Sequence, residues 1–131
     1  MNLDSLVDRL RGRLPDLLAI YAFGSRIAGD AGSESDLDLA VLVEGKADPV
    51  SLWRLAGDLA DIAGCPVDLV DVRAATTVMQ YQIIVTGRRL WVRDLRATLY
   101  ESFILSAKTA LDEARAPLMN LILREGSIHG R

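Results

Sequence analysis

The sequence predicts an α/β protein in which helices pack against one β-sheet, and three observations carry that expectation. Apolar residues recur at spacings of three and four in some stretches, and in short unbroken runs in others. The two kinds of stretch alternate in the order α-β-α-β-α-β-α-β-α, which describes a sheet with helices packed against it. The chain has 131 residues, half of them apolar, a length and composition that suit one compact domain with a single core.

The elements follow in order. Leu3, Leu6, Val7, Leu10 and Leu14 form one apolar helical stripe over 2–14, closed by Pro15. Leu17 to Phe23 is a short apolar run ended by Gly24, as a buried strand would be. Residues 24–35 are rich in Gly, Ser and Asp and read as a turn, a short helix and a loop. Asp36 to Val43 is a second strand. Asp48-Pro49 starts a helix whose residues Leu52, Leu55, Ala56, Leu59, Ile62 and Ala63 repeat at helical spacing until Gly64. Val67 to Val72 is a third strand, Thr76 to Thr86 a helix ending at Gly87, and Arg89 to Val92 an edge strand. From Asp94 to Arg124 the pattern is helical again, with a break expected at Pro117. No internal repeat or low-complexity linker interrupts this order, so a single domain over residues 1–131 is expected.

Composition excludes several classes. A net charge of −3 provides no bulk basic field, so direct nucleic-acid binding is not expected. Cys65 has no second cysteine to pair with and reads as a small apolar packing residue. The N-terminus mixes Asp4, Asp8, Arg9, Arg11 and Arg13 with leucines, unlike a secretory signal, and no run reaches membrane-spanning length. A cytoplasmic address without membrane association is the expectation. The one histidine, His129, falls in a tail expected to fray, away from any chemistry. Trp53 and Trp91 read as packing residues rather than a base-stacking platform.

The informative stretch is Gly24-Ser25, ten residues, then Asp36-Leu37-Asp38. Residues two apart on a strand share a face, so Asp36 and Asp38 project side by side while Leu37 and Leu39 enter the core. Two adjacent carboxylates repel and cost solvation; a divalent cation offsets both, and Mg²⁺ suits carboxylate oxygens shared with phosphates. Alone, Asp-x-Asp also fits a solvated strand end, and Gly-Ser also fits an ordinary turn with an N-cap. Together they describe a phosphate cradle, with free N–H groups at a helix start, beside a metal site. A two-metal transfer needs a third carboxylate. Asp68 precedes the apolar pair Leu69-Val70 and is favoured; Asp71, three residues on and hence on the opposite face, is the alternative.

These residues carry a resemblance. Gly24-Ser25-x10-Asp36-x-Asp38, with Asp68 on a later strand, resembles the DNA polymerase β-like nucleotidyltransferase superfamily, and the small size points to its minimal, MNT-type members. Residues 67–91 resemble the corresponding stretch of MntA-type antitoxins, which pair with HEPN-domain (HepT-like) toxins; the resemblance covers about 15–95, leaving the helical segment from about 95 to 124 less specific. It implies an α+β-type mixed sheet with flanking helices and a helical C-terminus. It implies Asp36, Asp38 and Asp68 as catalytic, metal-binding carboxylates for two Mg²⁺ ions. Gly24 and Ser25 then match the turn that holds the triphosphate of ATP, with Arg26 as a possible helper or merely an exposed helix-start residue. The implied activity is AMP transfer to a tyrosine hydroxyl of the toxin, which blocks its ribonuclease.

So short a chain leaves no second domain to grip an acceptor, so the acceptor surface is expected on a partner. The segment including Leu95, Leu99, Phe103, Ile104, Leu111, Leu118 and Ile122 holds more apolar area than one sheet face can cover, making part of it a candidate interface. Two rival functions stay open here: a small-molecule, aminoglycoside-type nucleotidyltransferase, and an antitoxin that acts by binding alone.

Overall fold

The computed structural model describes residues 2–24 and 36–129, excepting the side chains of 119–121 and 123–129. Its elements are α1 (Leu3–Arg13), β1 (Leu17–Phe23), β2 (Leu37–Val43), α2 (Pro49–Ala63), β3 (Val67–Asp71), a 3-10 turn (Val72–Ala74), α3 (Thr77–Thr86), β4 (Arg88–Val92) and α4 (Leu95–His129). The strands form a four-stranded sheet in the order β3-β2-β1-β4. β1 pairs antiparallel with both β2 and β4, whereas β2 and β3 run parallel, so the sheet is mixed. β4 is an edge strand, as its short sequence suggests.

Strand periodicity divides the core in two. Leu37, Leu39, Val41 and Val43 of β2 face Leu6 and Leu10 of α1 and Leu52, Leu55 and Leu59 of α2. Ala40 and Leu42 turn to the other face, where Ile83 of α3 and Ala97 and Ile104 of α4 cover them. Both faces of the central strands are therefore dry beyond Asp38, which is why β1 and the part of β2 from Leu39 to Val43 read as unbroken apolar runs rather than alternating ones. The helix starts obey local chemistry: Asp48 caps α2 by accepting from Ser51 N–H, with Pro49 in its first turn, and Thr76 caps α3 through Met79 N–H. Gly64 ends α2 in the left-handed region at φ 74°, where a Cβ would be strained.

Five sequence expectations change. Asp36 lies one residue ahead of β2 rather than within it, and β3 stops at Asp71 because Val72 begins the 3-10 turn. Pro117 does not break the last helix: α4 runs through it to His129, forgoing one backbone hydrogen bond instead. The helix thus includes His129, beyond the Arg124 at which the sequence pattern ends. Trp53 is 78% exposed, because it sits on the solvent side of the α2 stripe formed by Leu52, Leu55 and Leu59. Trp91 does pack, half-buried, beneath the guanidinium groups of Arg11 and Arg93. Cys65 is half-buried. The expected turn, short helix and loop of 25–35 lie outside the described residues. Among those that are described, no helix is long and apolar enough to cross a membrane.

Candidate active site

β1 and β2 bring the sequence-predicted residues to one end of the sheet. Antiparallel pairing sets Phe23 opposite Asp38, so the turn at Gly24 falls directly over the start of β2. Parallel pairing then sets Asp68 of β3 beside Asp38 in register, one strand spacing away and on the same face. Asp36 lies one residue ahead of β2 and two ahead of Asp38. Asp38 is half-buried, while Asp36 and Asp68 are exposed.

The electrostatics register this convergence. Burial pushes the Asp38 carboxyl above its ordinary value, and the negative charges of Asp68 and then Asp36 push it further. Among the described residues, no cationic side chain contributes to that shift. Gly24 explains how the carboxylate fits under the turn. Its φ is +83°, and a Cβ added there would lie 2.1 Å from Asp38 Oδ2. Only a residue without a side chain allows the backbone to approach so closely. The sequence pointed to Gly24 through phosphate access; that Asp38 itself needs the space is new from the structure. Ser25 and Arg26, the other two expected phosphate-binding residues, lie outside the described residues.

Asp71 takes a different role. It is buried, accepts hydrogen bonds from Ala47 N–H (2.9 Å) and Arg73 N–H (3.0 Å), and caps the 3-10 turn. Its carboxylate is fully engaged on the α2 face of the sheet, opposite to that of Asp38 and Asp68. A cleft of about 1060 Å³ also lies on that side, lined largely by α2, including Leu52, Trp53 and Ala56. Along β3 its lining includes Val67, Asp68, Leu69 and Asp71, so it reaches Asp68 of the carboxylate pair but not Asp38.

No local pattern signals a buried contact that lies on the same face as the carboxylates. Tyr21, on β1, donates its hydroxyl to Glu101 of α4 at 2.6 Å, and Arg89 of β4 pairs with the same carboxylate. Burial first, then Glu101, holds the Tyr21 phenol far above its usual pKa, so it stays a donor. This contact ties α4 across β1 to β4. Its partners are 80 and 12 residues apart, beyond the reach of any local pattern.

A turn without side-chain bulk, packed over a carboxylate that two others crowd, suits the handling of a polyphosphate with divalent cations. The model for the polymerase β nucleotidyltransferase family matches residues 6–96, which hold all of these parts. The chain belongs to that family. This nucleotidyltransferase is 40% identical over 91 residues to the protein adenylyltransferase MntA of Shewanella oneidensis, a match spanning 70% of this chain and 66% of that relative. A crystallised toxin–antitoxin complex with AMP-PNP holds a chain 32% identical, with a TM-score of 0.84 over 94% of this chain and 99% of that one. The structure of a tri-AMPylated Shewanella oneidensis HEPN toxin with its MNT antitoxin holds another, 31% identical, with a TM-score of 0.76 over 92% and 94% of the two chains.

Proposed function

We propose that this nucleotidyltransferase is an antitoxin that transfers AMP from ATP to a tyrosine hydroxyl of a cognate HEPN-type ribonuclease toxin and thereby silences it. The observation that carries the reading is the crowding of Asp38 by Asp68 and Asp36 beneath Gly24. Its support from relatives is the likeness to MntA and to chains found with an AMPylated HEPN toxin. An ATP donor and a ribonuclease target belong together in the cytoplasm, which completes the reading.

The donor set fits Mg²⁺. Hard carboxylate oxygens are its preferred protein ligands, and a divalent charge relieves the repulsion around Asp38. Among the described residues no group of three or more His, Cys, Asp or Glu side chains is placed to hold a metal ion without substrate. Mg²⁺ does not require one, since it is commonly held by one or two carboxylates plus substrate phosphates and water. Asp36, Asp38 and Asp68 would hold the two ions, which when bound supply Lewis-acid charge at the α-phosphate and lower the pKa of the incoming hydroxyl.

The chain's own residues do the remaining work. Gly24 keeps its backbone open to the triphosphate, and Ser25 and Arg26 add a hydroxyl and a guanidinium next to it in sequence. Asp68, exposed on the same face as Asp38, accepts the proton of the toxin hydroxyl as its oxygen bonds to the α-phosphorus. The bond from that phosphorus to the bridging oxygen breaks, and pyrophosphate departs with the electron pair.

The test is mass spectrometry of the toxin co-expressed with wild-type chain or with Asp36→Asn/Asp38→Asn. Wild type adds AMP to the toxin, and the double variant, folded by circular dichroism, adds none. Full transfer by the double variant would sink the mechanism. Label from ATP appearing only on a small molecule would replace the toxin as acceptor. A toxin neutralised without added AMP would leave binding as the whole activity.

A further inference from the structure

α4 is apolar on two sides, and the body of the protein uses only one. Ala97 and Ile104, seven residues apart, are fully buried against the sheet and α3. A second stripe at i, i+4 and i+8, formed by Leu95, Leu99 and Phe103, is 66%, 62% and 63% exposed. A helix carrying a second apolar stripe has a second surface to cover. Here the stripe borders a concavity of about 620 Å³, whose floor is Leu18 and Tyr100 and whose rim is Arg73 and Arg96.

The rim charges are already matched within the chain. Arg96 pairs with Glu44 and Asp94. Arg73 donates to the Val43 carbonyl and stacks over the Tyr100 ring at 4.4 Å. A surface so neutralised offers little to a phosphate or a nucleic acid and suits the apolar side of a protein helix. Aromatic and arginine side chains grouped around a dry pocket are also what the energetic centres of protein interfaces contain. The concavity lies on the carboxylate face of the sheet but at its far end, since Glu44 follows Asp38 by six strand positions, roughly 20 Å. A protein docked there leaves the catalytic end open, and about six extended residues carry its hydroxyl to Asp68.

We infer that the Leu95–Leu99–Phe103 stripe and the adjoining concavity are the docking site for a helix of the HEPN toxin, gripping the acceptor away from the chemistry. This rests on the toxin reading above. The relatives found with toxins align over 92–94% of this chain, and that span runs past residue 96, where the family model ends.

The experiment measures toxin binding and AMP transfer separately in Leu99→Asp and Phe103→Asp, with Phe103→Leu as the conservative variant and Trp53→Asp as a control on α2. All three side chains are exposed, so the fold survives. The two Asp variants raise the toxin Kd at least about tenfold. They raise KM for toxin with kcat at saturation retained, because docking is lost and chemistry is not. Phe103→Leu restores most of the binding, and Trp53→Asp changes nothing. Unchanged toxin binding in Leu99→Asp and Phe103→Asp overturns the docking site even if wild type transfers AMP. So does loss of self-association in place of toxin binding, which would make the occupant a second copy. Wild type that binds toxin through this surface without transferring AMP would uphold the docking site and overturn the catalytic reading.

Discussion

The two ends of the sheet treat charge in opposite ways. At the far end every charged group named above has a partner: Asp71 takes two backbone N–H groups, Arg73 a carbonyl, Arg96 two carboxylates, and Arg93 donates to the Leu17 carbonyl. At the Gly24 end, the charges beside Asp38 among the described residues, Asp68 and Asp36, are of its own sign. Asp68 and Asp71 make the contrast within one five-residue strand, since positions three apart fall on opposite faces. Partnered charge holds a fold together, whereas unpartnered like charge is costly and marks a place built for something that arrives later.

The contrast is broken most forcefully by exchanging what the two aspartates lose. Asp68→Asn should cut AMP transfer roughly 1000-fold, since several kcal/mol of charge stabilisation go with the ligand, while thermal stability holds or rises. Asp71→Ala should do the reverse, costing about 1–3 kcal/mol by stranding the Ala47 and Arg73 N–H groups while leaving transfer by the folded protein intact. Equal activity losses in both variants, in a single-turnover assay, would erase the distinction. Gly24→Ala is the next largest. Its Cβ would displace the Asp38 carboxylate, and a misplacement near 1 Å costs roughly 100-fold in rate. The left-handed φ adds about 1–2 kcal/mol of strain, readable as a lower urea midpoint.

How much of this was legible in the sequence follows from how far apart the interacting groups are. The strands, the helix start at Asp48-Pro49 and the glycine stops at Gly64 and Gly87 are local, and periodicity with turn chemistry revealed them. Asp38 beside Asp68 was legible only through the strand assignments, because a shared face requires both strands and their register. The Tyr21–Glu101–Arg89 contact was not legible, since no periodicity couples residue 21 to residue 101. Trp53 was misjudged because a residue next to a helical stripe turns about 100° away from it for each step along the chain. Pro117 was misjudged because proline costs a helix about 3 kcal/mol without forbidding it.

The smallest effect sharpens the contrast through pH. Asp38 and Asp48 start from the same ordinary value and are displaced in opposite directions. Burial and then Asp68 and Asp36 raise Asp38, so the native chain holds that proton more tightly than the unfolded chain does. Its contribution to stability is therefore present at low pH and declines as pH rises through the raised value. Asp48 is lowered, first by the Ser51 backbone N–H and then by the Ser51 hydroxyl. Its contribution is present above the ordinary carboxylate range and is lost as pH falls through the lowered value. Urea unfolding between roughly pH 3 and 7, in EDTA so that no divalent cation relieves the repulsion, reads both signs. Asp38→Asn should gain on wild type as pH rises, and Asp48→Ala should fall behind over the same interval. Curves for Asp38→Asn that stay parallel to wild type would mean the three carboxylates do not interact, and the unpartnered end would then be no different from any solvated strand end.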